Sequence, residues 1–225
     1  MTKLPQLKNK ALFTKAFTHR SYLNEAKNPM ESNERLEFLG DSILSFVISD
    51  HLYNTYPNFD EGILTNLRSL VVNTQSLANE ARAHELGAYL LISRGEEESN
   101  GRGNDSILAN SFEAFIGGLY IDQGISAVKD FLTQTIIPHI KEYVKKNEFK
   151  DPKSLLQENV QSKKQASPVY KVLKEEGPAH AKTFTIGVYV GDQKIGEGIG
   201  HSKQKAEEKA AKQALDYLNL TKIKT

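Results

Sequence analysis

The sequence predicts two domains of different class: an all-α domain over residues 1–147, a linker over 148–152, and an α-β-β-β-α domain over 153–221. Three observations carry this. Before residue 147 the apolar residues recur with helical period and show no strand-like alternation. After Pro152 the period changes, and Thr183 to Val190 alternates with Phe184, Ile186, Val188 and Val190 on one side. Between the two lies a polar run, Glu142 to Asp151, closed by Pro152, which bars the residue before it from helical geometry. A chain of 225 residues accommodates two modest domains.

Within the first domain, Leu36, Leu39, Ile43, Phe46 and Val47 form one helical stripe, and Leu108, Phe112, Phe115, Ile116 and Leu119 form another. Glu96 to Glu98, beside Asn100-Gly101-Arg102-Gly103-Asn104, reads as a solvated loop between helices. In the second domain Ser154 to Gln161 is a short helix and Val169 to Leu173 an extended segment. Lys194 to Ile199 gives a third strand. Ser202 to Leu218 closes the domain as a helix that buries Ala206, Ala210, Ala214 and Leu218.

Composition narrows the chemistry. The chain is 39% hydrophobic and 25% charged, as globular domains are. It has no cysteine, which excludes disulfide scaffolds, thiolate zinc sites and cysteine nucleophiles. The first ten residues hold no apolar signal segment, and the longest apolar run, Ala114 to Ile121, is far shorter than the ~20 residues of a spanning helix. A cytoplasmic protein with no membrane association is the expectation. Gly196 to Lys203 lacks the spacing of a phosphate-binding nucleotide loop, so no nucleotide cofactor is expected. The histidines show no ligand spacing, and His84 and His139 read as surface or packing residues. The net charge of +1 conceals a split: residues 151–225 hold 13 Lys, no Arg and 9 acidic residues (+4), and the remainder holds 16 basic and 19 acidic residues (−3).

Glu34, Glu37 and Asp41 fall within about 60° of arc on one predicted helix. Like charges so spaced repel. Glu34 lies in the first turn, where the helix dipole favours an anion, but Glu37 and Asp41 lie deeper and have no basic residue three or four positions away. A second helix carries Asn110 and Glu113, with Ser106 and Gly117 continuing the stripe as small residues that permit close approach. Facing each other, the two stripes would make an all-oxygen site suited to Mg²⁺. The alternative is a solvated acidic face on each helix.

Asn33-Glu34-Arg35-Leu36-Glu37-Phe38-Leu39-Gly40-Asp41-Ser42 resembles the signature of the ribonuclease III family, as do Phe17 to Tyr22 upstream and Ile107 to Gly118 downstream. The tail resembles a double-stranded-RNA-binding domain. The resemblance implies an all-α endonuclease domain that cuts double-stranded RNA with Mg²⁺, or Mn²⁺ as a substitute. The products would be 5′-phosphate and 3′-hydroxyl ends, in rRNA or mRNA processing. It implies Asp41 and Glu113 as catalytic residues, Glu37, Asp41, Asn110 and Glu113 as metal ligands, and Glu34 and Glu61 as further acids of the cutting groove. It also implies a homodimer, with Phe38, on the edge of the acidic face, as a contact. One departure stands out: the family usually has aspartate where this chain has Asn110. An amide keeps a coordinating oxygen but removes a charge, so more metal should be needed. The other reading is a double-stranded-RNA-binding protein with an attenuated or inactive metal site.

In the tail, Ser202 is a good N-cap, yet Lys203, Lys205 and Lys209 follow it, and cations there oppose the helix dipole. Either an anion is bound or the helix is simply solvated and lysine-rich, with Glu207 and Glu208 interleaved. The resemblance favours phosphate capture, although Gln204 stands where a second lysine is usual. It also implies RNA contacts from Gln157 and Gln161 on the first tail helix and from His180 in the Gly177-Pro178-Ala179-His180 loop.

Overall fold

The computed structural model describes residues 4–146, 152–178 and 181–222. Contacts divide the chain into two compact units, Met1–Phe149 and Lys150–Thr225.

The first unit is helical: α1 (Lys10–Ala16), α2 (Glu34–Thr55), α3 (Glu61–Val71), α4 (Thr74–Ala83), α5 (Arg94–Glu98), α6 (Asp105–Gln134) and α7 (Ile136–Lys146). Short polar residues start several of them. Asn9, Asp60, Asn73, Ser93 and Asn104 each accept hydrogen bonds from first-turn amides, so these helices begin where the sequence offers an acceptor. Helix α6 is interrupted at Gly124, whose φ of 81° is available to glycine without strain, and then resumes.

Helices α2 and α6 form the centre. Their backbones touch: a Cβ on Gly40 would sit 1.7 Å from the carbonyl oxygen of Glu113, and one on Gly117 would sit 2.2 Å from that of Leu36. Around this crossing Leu44, Ile48, Leu52, Phe112, Phe115, Ile116 and Phe131 are fully or almost fully buried.

Three expectations need correction. Phe46 does not belong to the buried stripe of α2 but is 58% exposed. The buried face runs through Leu36, Gly40, Leu44, Val47, Ile48 and Leu52, and Phe46 lies about 200° round the helix from Leu44. Glu96 to Glu98 is helical rather than a loop. Arg102 fixes it, donating from Nη1 to the carbonyls of Gly87 and Leu90 and from Nε to Glu97. Ser106 is exposed and does not continue a close-packed stripe with Gly117. His84 is nearly buried against Phe131 and His139 is half-exposed, and His139 Nε2 lies 2.7 Å from the buried Glu80, tying α4 to α7.

The second unit places α8 (Pro152–Ser162) and α9 (Lys203–Lys222) against an antiparallel sheet β1 (Val169–Glu176), β2 (Thr183–Val190) and β3 (Gln193–Gly200), in the order β1-β2-β3. The first strand runs three residues beyond the expected Leu173. Leu156, Val160, Val188, Ile195, Ala210, Ala211 and Ala214 form the core. The helix α9 lies so close to the sheet that a Cβ on Gly198 would meet the carbonyl oxygen of Ala206 at 2.2 Å. Alanines on α9 facing glycines on β3 are what the close approach requires.

The α2–α6 contact has a direct test. Gly40→Ala puts a methyl group into the Glu113 backbone and is expected to destabilise the protein by about 1–3 kcal/mol or more. Gly95→Ala, where a Cβ meets nothing within 4 Å, is expected to be neutral or mildly stabilising. Thermal melts of the two variants beside the parent read the difference.

Candidate active site

The entry to α2 is tied down from outside the helix. The Asn33 backbone amide donates to Thr18 O at 2.8 Å, and its buried side chain donates to Ala16 O at 3.4 Å instead of capping the helix. Ser32 Oγ donates to Glu34 Oε2 at 2.8 Å. These contacts fix the first turn of α2, and with it the phase of Glu34, Glu37 and Asp41. On α6, Asn110 and Glu113 are half-buried and one turn apart.

The backbone contact at Gly40 brings the two acidic stripes together, because Gly40 precedes Asp41 and abuts Glu113 itself. Burial, then the charge of Asp41, then that of Glu37, push the Glu113 carboxyl up to about 7. Glu37 is raised as well, by burial first and then by Glu34 and Asp41, with Arg20 opposing. No cation is among the groups acting on Glu113. Sequence reasoning missed Arg20, whose guanidinium lies 3.7 Å from Glu34. It comes from the Arg20–Asn24 turn, so no spacing within α2 could reveal it.

The donor set fits a hard divalent cation: oxygens only, with no cation among the groups acting on Glu113. Among the described residues no three Asp, Glu or His side chains close round one point as ligands do. A spread of carboxylates suits an ion that keeps several waters and takes one or two carboxylates. Among the described residues the Asn110 amide has no side-chain hydrogen-bond partner. Glu34 is exposed at the rim. Glu61 is exposed at the start of α3, accepting a hydrogen bond from Thr65 at 3.0 Å, and is not among the groups acting on Glu37 or Glu113.

Phe38 is 78% exposed on α2, and Phe46 and Tyr53 on the same helix are exposed too. In the second unit, Gln157 and Gln161 are exposed on α8, about 100° round the helix from the buried Leu156 and Val160. Ser202 Oγ accepts from the Lys205 amide at 3.2 Å, capping α9. Lys203, Lys205 and Lys209 are exposed. Lys203 lies 3.4 Å from Glu175 and Lys205 3.0 Å from Glu208, and among the described residues Lys209 has no ion-pair partner. His180 lies outside the described residues.

A helical unit with acids on two abutting helices, followed by an α-β-β-β-α unit presenting lysines at a helix start, fits a nuclease joined to a module for duplex RNA. Comparison with known proteins agrees. Residues 9–140 match the family model described as ribonuclease-III-like, and residues 152–218 match the double-stranded RNA binding motif. Ribonuclease 3 of Borreliella burgdorferi is 48% identical over 204 residues, covering 91% of this chain and 83% of that protein. Ribonuclease 3 of Lactococcus lactis subsp. cremoris is 47% identical over 211 residues, covering 92% and 90%. Among solved structures, the nuclease domain of ribonuclease III from Campylobacter jejuni is 36% identical with a TM-score of 0.54, covering 58% of this chain and 88% of that one. Dicer from Pichia stipitis is 26% identical with a TM-score of 0.51, covering 96% and 97%. The chain belongs to the ribonuclease III family and is an endoribonuclease of double-stranded RNA.

The crowding of carboxylates has a thermodynamic consequence. A carboxyl whose folded-state pKa lies above its unfolded value binds more protons folded than unfolded between the two, so stability falls as pH rises through that window. For Glu113 the window runs from 4.5 to about 7. In metal-free buffer, Glu113→Gln is expected to melt at a higher temperature than the parent at pH 8, with the gap shrinking towards pH 5. An equal gap at both pH values would contradict the raised Glu113 carboxyl, to which burial contributes most and Asp41 and Glu37 add.

Proposed function

We propose that the chain hydrolyses both strands of double-stranded RNA in a magnesium-dependent reaction that leaves 5′-phosphate and 3′-hydroxyl ends, with Mn²⁺ as a substitute. The observation that supports this best is the meeting of Glu37, Asp41 and Glu113 at the glycine contact of α2 and α6, with no cation among the groups acting on Glu113. Glu37, Asp41, Asn110 and Glu113 would hold the ion. A bound divalent ion would lower the pKa of a water and stabilise charge on the phosphoryl oxygens.

The chain's own residues supply the rest. Asp41 and Glu113 offer carboxyl oxygens from two helices whose separation is fixed by backbone contact. Asn110 supplies a neutral oxygen. Glu34 and Glu61 act as outer acids of the groove. Gln157, Gln161, Ser202, Lys203, Lys205 and Lys209, with His180, hold the duplex through phosphates and 2′-hydroxyls, reading A-form shape in preference to sequence. Ribosomal and messenger RNA precursors in the cytoplasm are the proposed substrates.

Asn110 favours a second reading, a duplex-RNA-binding protein whose metal site is attenuated. Incubation of a long RNA duplex with and without Mg²⁺, using the parent, Asn110→Asp and Glu113→Gln, separates the two. Cleavage by the parent, lost in Glu113→Gln and needing less Mg²⁺ in Asn110→Asp, is the expected result. Binding without cleavage, with activity only in Asn110→Asp, would select the second reading. Inactivity of all three would contradict the metal-site assignment.

The exposed Phe38, with Phe46 and Tyr53 on the same helix, supports a homodimer through this face. The nuclease domain from Campylobacter jejuni is described as flexible in a region involved in dimer formation, so that relative pairs through its own nuclease domain. Light scattering is expected to give a dimer for the parent and to shift towards monomer for Phe38→Ala. A monomeric parent at micromolar concentration would contradict the assembly.

A further inference from the structure

At one corner of the second unit two lysines from different elements close on one carboxylate. Lys182 Nζ lies 2.5 Å from Glu175 Oε2, and Lys203 Nζ lies 3.4 Å from Glu175 Oε1. Both ammonium groups also stand over the same ring, 5.5 and 5.6 Å from the centroid of Phe184.

The sheet register explains the meeting. Glu175 on β1 pairs with Phe184 on β2, and Phe184 pairs with Gly200 on β3. A Cβ on Gly200 would lie 2.7 Å from the Ala206 amide nitrogen, so this row of the sheet ends against the first turn of α9. Lys182 enters from the residue before β2 and Lys203 from the first residue of α9. Their positions are set by strand pairing and helix packing, and a flexible encounter of long side chains is not needed to explain them.

We infer that Lys182 and Lys203 form a two-lysine clamp for one phosphodiester of the RNA backbone, and that Glu175 occupies the clamp in the free protein as an internal substitute for that phosphate. This rests on the reading of α9 as an RNA-contacting helix and adds Lys182 and Glu175 to it.

Four observations support the inference. The carboxylate offers one oxygen to each ammonium, as the two non-bridging oxygens of a phosphodiester would. Two lysines against one glutamate leave one positive charge, which one phosphodiester neutralises. The groups remain accessible, with side chains 42%, 58% and 34% exposed for Lys182, Lys203 and Glu175. An exposed ion pair is weak and screened by salt, so a phosphate in a dense row of phosphates can replace it. The Glu175 carboxyl is held low, chiefly by the hydrogen bond from Lys182, so it is charged at neutral pH and competes as an anion. The clamp also accounts for Gln204: the second cation at the start of α9 comes from Lys182, across the sheet.

The test is duplex-RNA binding by the full chain in EDTA, where no cleavage occurs, followed by fluorescence anisotropy across a salt titration. Lys182→Gln is expected to weaken binding several-fold and to lower the slope of log K against log salt by about 1. Glu175→Gln is expected to tighten binding several-fold, and Lys182→Arg to retain parental affinity. Glu176→Gln controls for net charge, because Glu176 pairs with Lys174 away from the clamp. Parental affinity in Lys182→Gln would overturn the inference. So would weaker binding in Glu175→Gln, or equal tightening in Glu176→Gln. Lys205→Gln and Lys209→Gln, on α9 but outside the clamp, test the underlying reading: parental affinity in both would reject α9 as an RNA-contacting helix, whatever Lys182 and Lys203 do. Melting curves accompany each variant. Should Glu175→Gln fail to fold, the contrast between Lys182→Gln and Lys182→Arg still decides.

Discussion

Where Gly40 of α2 meets Glu113 of α6, and Gly117 of α6 meets Leu36 of α2, there is no space for even a methyl group. Helices with side chains at the crossing keep their axes 8–10 Å apart. Here the side chains are absent and the backbones themselves are the surfaces in contact. The acids flanking the crossing, Glu37 and Asp41 on one helix and Glu113 on the other, are therefore brought close enough to act on one another by main-chain packing, with buried leucines and phenylalanines around the two helices. Remove the glycines and the carboxylates separate.

That geometry works against the stability of the free protein. Three like charges are concentrated at a partly buried place, and Glu113 responds by holding its proton up to about pH 7. Structural ion-pair networks also perturb pKa values, but they do so with opposite charges present. Several acids elsewhere in this unit have such partners: Asp50 pairs with Lys129, Glu97 with Arg102, and Asp105 with Arg82. Among the described residues Arg20 approaches the crossing, lying 3.7 Å from Glu34 and acting also on Glu37, while no cation is among the groups acting on Glu113. An uncompensated group of acids on a rigid frame is an arrangement to be completed by a cation. The second unit uses the opposite arrangement. There surplus lysines on a rigid sheet corner are occupied by a glutamate of the same chain.

Much of this is legible in the sequence because it is local. Helical period finds α2 and α6, alternation finds β2, and the acidic stripes follow from 3.6 residues per turn. The small residue at 117 announces a close helix contact, whereas Ser106, read as part of the same stripe, is exposed. What escapes is what depends on a second element. Phe46 falls on the wrong side of α2 because period alone does not fix which face meets α6, and Gly40 and Leu44 decide it. Arg20 with Glu34, Glu80 with His139, and Glu175 with Lys182 and Lys203 join residues on different elements. The helix at Arg94–Glu98 depends on Arg102 reaching the carbonyls of Gly87 and Leu90, and no local propensity reports that.

The central claim is that the carboxylates gathered by the glycine crossing form a divalent-cation site. Crystals of the protein soaked in Mn²⁺ and measured for anomalous scattering test it most directly. The expected result is a peak between α2 and α6 within coordination distance of Asp41 and Glu113, absent from crystals of Glu113→Gln. No peak at the crossing, from crystals of a preparation that cleaves RNA in the same Mn²⁺, would contradict the claim.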